Sequence, residues 1–453
     1  MLLLALLLLA SLSDWIPARW PTSDPASLAL LEGAPVNCLL LESRHWTPEF
    51  LAKARQGSVA TLGVLRPTSP QEEARRAVDA KLTGVVLEGD FSIAQAAGVR
   101  STLAGSGLAV IELPPRRGIR LDSQDQILGT GEGLWPGIEI EHGGSTLTGP
   151  TSSPWVNTNS GFLRFLRAAA AGAVWIGVSP PARSAYPAER YAQAIADAAL
   201  AGARWIVDLD QDLWKRLLDG ESSARAGWKS ITRHLAYFEQ RDWSGYRPHS
   251  HFALVEDAAT GGLLSGGLLD LMSAQRTPVR VILPRQVSAA RLRGARLLLN
   301  LEDRALSEEQ RRAIEEFRKS GGVVLNSPVG FHLPTAPPGQ VLPTRQQWTQ
   351  LQKVWEIAYH AIARKNFGVR VFNTAGMLSS LMATPDGKSL LVHLLNYTDF
   401  PAESIAVQAF GTWKHARLYR PGEMVEELPL YPVSDGTGVD VPRLTTVATL
   451  RLD

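Results

Sequence analysis

From Val36 to Asp210, short apolar runs alternate with stretches whose apolar residues recur every three to four positions. This alternation is the signature of βα units built around a parallel sheet. The runs predict strands at VNCLLLE (36–42), VATLGVL (59–65), TGVVLEG (83–89), LAVIELP (108–114), QILGTGE (126–132), GIEIE (137–141), AVWIGVS (173–179) and RWIVDLD (204–210). Helices open at Thr47-Pro48-Glu49 and at Ser69-Pro70-Gln71-Glu72. In each, a hydroxyl residue stands at the expected N-cap and proline fills a position whose N–H has no partner. The fifth and sixth runs leave no room for a helix between them. Eight strands predict a compact (β/α)8 TIM-like barrel over residues 25–245.

A second α/β pattern follows. HFALVED (251–257), VRVILP (279–284), RLLLNLE (296–302) and GVVLNSP (322–328) alternate with helical GLLDLMSAQ and SEEQRRAIEEFRKSG. These predict a small doubly wound, flavodoxin-like domain over 246–365, closed by a helix from Arg345 to Arg364. Ser307-Glu308-Glu309-Gln310 reads as a capping box, in which serine and glutamine each satisfy a backbone N–H. From Val369 the period becomes two, with turn signals such as Pro385-Asp386-Gly387, which predicts a β-sandwich over 366–453. His393 and Asn396 fall within one of its strands and read as satisfied structural polar groups.

Composition narrows the class. At 45% hydrophobic and 20% charged residues, the chain is an ordinary globular protein, neither disordered nor collagen-like. Its 46 basic and 44 acidic residues form no block that would recruit nucleic acid or an anionic membrane, so neutral partners are expected. MLLLALLLLASLS reads as a signal peptide over residues 1–13, which predicts export to the periplasm or the exterior. It is too short for an integral membrane span, no Lys or Arg precedes it, and no Cys follows it as a lipoprotein would require. Cys38 is the only cysteine, so there is no intramolecular disulfide or CxxC site, and its apolar context predicts a buried structural thiol. The nine histidines lack HExxH-type spacing, so neither metal nor cofactor is expected.

In a (β/α)8 barrel, side chains at the carboxyl ends of the strands form the active site. That rule selects Glu42, Glu88, Asp90, Glu112, Glu132, Glu141, Asp208 and Asp210. Acids gathered at one mouth suit protonation of a glycosidic oxygen and stabilisation of an oxocarbenium-like transition state. The same acids are also exposed by geometry and suited to capping the next helix. The stretch 127–161 adds Trp135, His142, Trp155, Asn157 and Asn159, with indoles for the apolar faces of sugars and amides for hydroxyls. A long barrel loop whose tryptophans plug the barrel end has the same composition.

After a strand ending in a small polar residue comes LSEEQRRAIEEFRKSGGVVL (306–325). It resembles the class I glutamine-amidotransferase-like domain that follows the barrel in family 42 β-galactosidases. LLVHLLNYTD (390–399), LYRPG (418–422) and VPRLTTVATLRL (441–452) resemble the carboxyl-terminal β-domain of those enzymes. The resemblance implies the order barrel, amidotransferase-like domain, β-sandwich. It also implies an acid/base Glu after barrel strand four, a role Glu112 fits by position, and a nucleophilic Glu after strand seven. Ser179 stands at that second position, so the second acid must come from Glu88, Glu132, Glu141 or Asp208. Glutaminases of the amidotransferase fold carry a Cys on a strand-to-helix elbow, and none is present here. The domain is therefore read as a spacer, a lid or a homo-oligomer surface.

Two expectations follow. One is an exported glycoside hydrolase acting on a neutral glycan, with Glu112 as proton donor, Glu132 or Asp208 as nucleophile or base, and Trp135 and Trp155 stacking on the sugar. The other is a non-catalytic glycan-binding or assembly protein with a degenerate barrel. Thirteen tryptophans suit sugar contact in both.

Overall fold

The computed structural model describes residues 12–122, 125–140, 143–148, 154–239, 243–257, 268–269, 271–272, 276–327, 343–362 and 366–453. The chain divides into two compact units. The first comprises Met1–Trp135 and Ala170–Ala236, the second Pro136–Ala169 and Tyr237–Asp453.

The first unit is an eight-stranded parallel barrel. Its strands are β1 (Pro17–Arg19), β2 (Cys38–Leu41), β3 (Ala60–Leu65), β4 (Gly84–Glu88), β5 (Ala109–Leu113), β6 (Ile127–Thr130), β7 (Ala173–Ile176) and β8 (Arg204–Trp205). Strands β1 to β5 form one continuous ladder, and β6, β7 and β8 form a second. The ladders join where Arg19 N donates to Val207 O at 2.7 Å and Val207 N donates to Pro17 O at 3.1 Å. Between β5 and β6, Thr130 Oγ1 donates to Pro114 O at 2.6 Å.

The strand count corrects the expectation at two places. β1 lies ahead of residue 25. Its three residues, Pro-Ala-Arg, are too few to show alternation, and tertiary pairing with β2 through Pro17–Cys38 and Arg19–Leu40 makes the strand. GIEIE is not a barrel strand. Gly137–Ile138 pairs antiparallel with Val156–Asn157, and this hairpin belongs to the second unit. Glu88 therefore ends the fourth barrel strand, while Glu112 lies on the fifth.

Strand parity decides which side chains face the barrel interior. Cys38, Leu40, Leu62, Val64, Val86, Ile111, Leu113, Trp175 and Ile206 form one buried core. Continuing each strand by two residues brings Glu42, Arg66, Glu88 and Asp208 to the carboxyl end on the same inner face. Glu112, between Ile111 and Leu113, takes the opposite face. Cys38 is fully buried in this core, and burial pushes its thiol pKa well up, as a structural cysteine requires. Around the barrel, the helix Ile93–Thr102 starts on a Ser92–Gln95 capping box. The helix Gln211–Leu218 is capped by Asp210, which accepts from Leu213 N.

The second unit contains a four-stranded parallel sheet of β9 (Phe252–Val255), β10 (Arg280–Ile282), β11 (Leu297–Asn300) and β12 (Val323–Asn326). Its order β10-β9-β11-β12 is the flavodoxin-like 2-1-3-4 winding. The helix Glu308–Lys319 carries the expected Ser307–Gln310 capping box. The carboxyl-terminal strands form a six-stranded antiparallel sheet, which takes Arg247–Pro248 as an edge beside Met377–Ala383, and a four-stranded one. They bury a common core that includes Val392, Leu394, Ile405, Val407, Val439 and Leu450. His393 meets Thr449 Oγ1 at 2.8 Å, and Asn396 Nδ2 donates to the carbonyls of Phe400 and Thr445. Among the described residues, no helix is long and apolar enough to cross a membrane.

Candidate functional site

At the carboxyl end of the barrel, a cleft of about 610 Å³ is lined by residues following β1, β2, β3, β7 and β8. That volume falls within the range of small-molecule sites. Arg19 and Asp208 line it, and from them a chain of alternating charges runs back to Glu88. The Arg19 guanidinium binds Glu88 Oε1 through Nη2 and lies 3.5 Å from Asp208 Oδ2 through Nε, so both carboxylates meet the same edge of one cation. Arg66 lies 2.8 Å from Glu88 Oε2 and 2.9 Å from Glu42 Oε1. Arg19, Glu88 and Asp208 are only 14%, 10% and 16% exposed at their side chains.

This environment sorts the acids. Burial pushes the Asp208 pKa up; Arg19 and a hydrogen bond from Ser179 oppose the shift, and the negative charges of Glu88 and Glu42 add to it. An acid raised in this way holds its proton to higher pH than a solvated carboxylate. Glu88 instead accepts a hydrogen bond from Arg19, forms an ion pair with Arg66 and has a glycine against it. A Cβ placed on Gly131 would stand 2.6 Å from Glu88 Oε1, so the carboxylate uses space that only glycine leaves. Beside the charged floor, Trp20 and Trp214 pack edge to face with ring centroids 4.6 Å apart. Both line the cleft. The buried indole N–H of Trp214 has no hydrogen-bond partner among the described residues.

Of the residues selected from sequence, Glu88 and Asp208 are brought together here. Glu112 is not among them. Its carboxylate pairs with Arg100 at 2.8 Å and Arg120 at 3.0 Å, and it lines a different cleft of about 200 Å³ beside the helix Ile93–Thr102. Glu132 serves the loops, accepting from Arg116 N at 2.6 Å, while Arg116 Nε donates to the Glu132 carbonyl. Asp90 pairs with Arg117. Asp210 accepts from Tyr191 Oη and Leu213 N as a helix cap. Glu141 and His142 lie outside the described residues.

Trp135 and Trp155 fall in different units. Trp135 packs against Tyr186, Tyr191 and Trp205. Trp155 is 5% exposed and sits against Trp348, with ring centroids 4.1 Å apart. Asn157 belongs to the short hairpin, and Asn159 is fully buried ahead of the helix Ser160–Ala169. Among the described residues, no group of three His, Cys, Asp or Glu side chains is placed to hold a metal ion.

Sequence reasoning missed Arg19, Arg66, Trp20 and Trp214. Arg19 was hidden because β1 was not recognised as a strand. The available signal was polar ends on apolar runs: VATLGVL ends at Arg66 as VVLE ends at Glu88, and cations at strand ends deserved the weight given to acids.

No family model matches the chain, and no curated protein matches its sequence. Solved structures do share its fold. The α-L-fucosidase isoenzyme 2 from Paenibacillus thiaminolyticus superposes with a TM-score of 0.64 over 97% of this chain and 99% of that one, at 10% identity. The chain therefore has a barrel-plus-sandwich plan shared along its whole length with a solved protein. A rhamnosidase from Novosphingobium sp. PP1Y aligns with a TM-score of 0.44 and 14% identity, over 90% of this chain and 46% of that one.

Proposed function

We propose that this protein is an exported carbohydrate-active hydrolase that cleaves glycosidic bonds at the carboxyl end of its barrel. The observation that carries the reading is the pair Glu88 and Asp208, joined by Arg19, which lines the cleft together with Asp208. A similar fold is found in an enzyme named as an α-L-fucosidase, which supports the same substrate class. In this reading Asp208, with its raised pKa, is the general acid that protonates the leaving glycosidic oxygen. Glu88 is the carboxylate that attacks the anomeric carbon or activates a water for that attack. Two carboxyl groups in environments of different polarity divide the acid and base roles in this way. The second acid thus comes from β8, beside Ser179, rather than from β7.

The two roles leave stereochemistry to the Glu88–Asp208 separation in the loaded enzyme. About 5 to 5.5 Å corresponds to retention, and about 6.5 to 9.5 Å to inversion with a water between them. The test is hydrolysis of a broad glycan panel by purified protein. Asp208→Asn and Glu88→Gln should each lower kcat by about 10²- to 10⁴-fold, whereas Glu112→Gln should leave it near wild type.

One observation favours a second reading, in which the barrel binds glycans without cleaving them. Glu88 is gripped by two guanidiniums, an arrangement that ties up a nucleophile. Binding without turnover of every panel member, unaffected by Asp208→Asn, would select that reading.

A further inference from the structure

The charges lining the barrel cleft fall into two sets. On the floor, Arg19 and Arg66 stand against Glu42 and Asp208, and Glu88 behind them makes three acids to two cations. Asp210 is committed to capping the helix Gln211–Leu218. Around the rim the cleft is lined by Arg44, Arg183 and Lys215. All three are exposed, and none makes an ion pair with a carboxylate among the described residues, although Arg44 Nε contacts His45. The remaining rim acid is Asp219. Three cations against one acid give this cleft a positive rim that the near-zero charge of the whole chain conceals. Arg183 adds an independent sign. Its φ of 65° is left-handed, a region that L-residues other than glycine rarely occupy, in the short loop that follows Pro180-Pro181. Such conformations concentrate where a loop is held for a ligand.

We propose that the glycan recognised here is anionic, carrying carboxylate or sulfate groups that Arg44, Arg183 and Lys215 meet at the rim while its glycosidic bond lies over Glu88 and Asp208. The inference rests on the carbohydrate reading above and replaces the neutral glycan expected from overall charge. Cations grouped at the rim of a cleft attract the opposite sign to that rim. Guanidinium forks fit carboxylate and sulfate oxygens in pairs.

The test is calorimetric binding of the full chain to three probes of matched length: oligogalacturonate for carboxylate, a carrageenan oligosaccharide for sulfate, and a neutral galacto-oligosaccharide. At least one anionic probe should bind about tenfold or more tightly than the neutral one. Its affinity should fall as salt rises from about 0.05 M to about 0.5 M. Combined Arg44→Gln, Arg183→Gln and Lys215→Gln should abolish the preference, and Lys215→Gln alone should reduce it about threefold if the combined variant does not fold. Equal or tighter binding of the neutral probe, no binding of any probe, or a preference that survives loss of the three cations would overturn the proposal. Hydrolysis is scored separately. An anionic glycan bound but never cleaved keeps this inference and removes the hydrolase reading, while Asp208-dependent cleavage of neutral glycans alone does the reverse.

Discussion

Ser179 and Asp208 line one cleft beyond the ends of β7 and β8, and the serine hydroxyl opposes the rise that burial imposes on the Asp208 pKa. The serine occupies the strand-seven position where the resemblance to family 42 implies a carboxylate. In this barrel it acts on the acid of the neighbouring strand. Ser179→Ala removes a bond that favours the charged form, so the Asp208 pKa should rise further. If Asp208 is the general acid, the basic limb of the kcat/KM profile should move up by a few tenths to about one pH unit. An unmoved limb would show that Asp208 is not the group being titrated.

Gly131 and Glu88 give a steric test of the same floor. A methyl group at position 131 would approach Glu88 Oε1 to 2.6 Å, well inside contact distance, so the carboxylate must move. Overpacking of this kind costs about 1 to 3 kcal/mol. Gly131→Ala should lower kcat far more than Tm, whereas Gly129→Ala, which meets the backbone oxygen of Trp175, should chiefly lower stability. Thermal unfolding and steady-state kinetics on both variants separate the two effects.

Arg19 holds two acids at once. Arg19→Met would leave Glu88 and Asp208 facing each other without their common cation, and breaking a buried pair from one side costs about 3 to 5 kcal/mol. Chemical denaturation should report a loss of that order for the barrel at neutral pH. Burial raises the Asp208 pKa, and protonating Asp208 removes its repulsion with Glu88, so the loss should shrink as pH falls through the acidic range. A loss under about 1 kcal/mol would mean that the floor is solvated in solution.

His393 makes the second unit sensitive to acid. Burial pushes its pKa down to about 4 from an ordinary 6.5, so the folded form holds the neutral ring. Below pH 6.5 the unfolded chain takes up a proton that the folded chain refuses. Stability should therefore be full above about 6.5 and decline as pH falls toward 4, where the folded ring also protonates. Substituting His393→Gln should flatten that part of the stability–pH curve, measured by denaturant midpoints across the range.

The two barrel corrections share a cause. A barrel strand is apolar on both faces, one toward the barrel core and one toward the helices, so the run LAVIELP does not reveal which way its glutamate points. Register supplies that information: Leu87 pairs with Glu112 on the outward face, while Val86 and Ile111 look inward. GIEIE had a genuine strand pattern, but periodicity does not name a partner, and its partner was Val156–Asn157. What the sequence showed well was the repeat of strand and helix, the capping box at Ser307 and the sandwich at the carboxyl end. What it hid was Arg19, whose strand exists only through its neighbours.

The path of the chain between its two units has a consequence for any attempt to divide the protein. Residues 136–169 leave the barrel sequence after Trp135 and are counted with the second unit before the chain returns at Ala170. A cut at Ala236, the obvious place to isolate the barrel, would orphan the helix Ser160–Ala169. That helix buries Phe162, Leu163, Phe165 and Leu166, and the strand Arg280–Ile282 on which it packs would be missing. Such a fragment would expose an adhesive apolar surface and aggregate. On the ribosome the same layout imposes an order, since β7 and β8 emerge before the segment that shelters residues 160–169 has been made. The nascent barrel must therefore carry an unsheltered apolar helix until translation has passed β10.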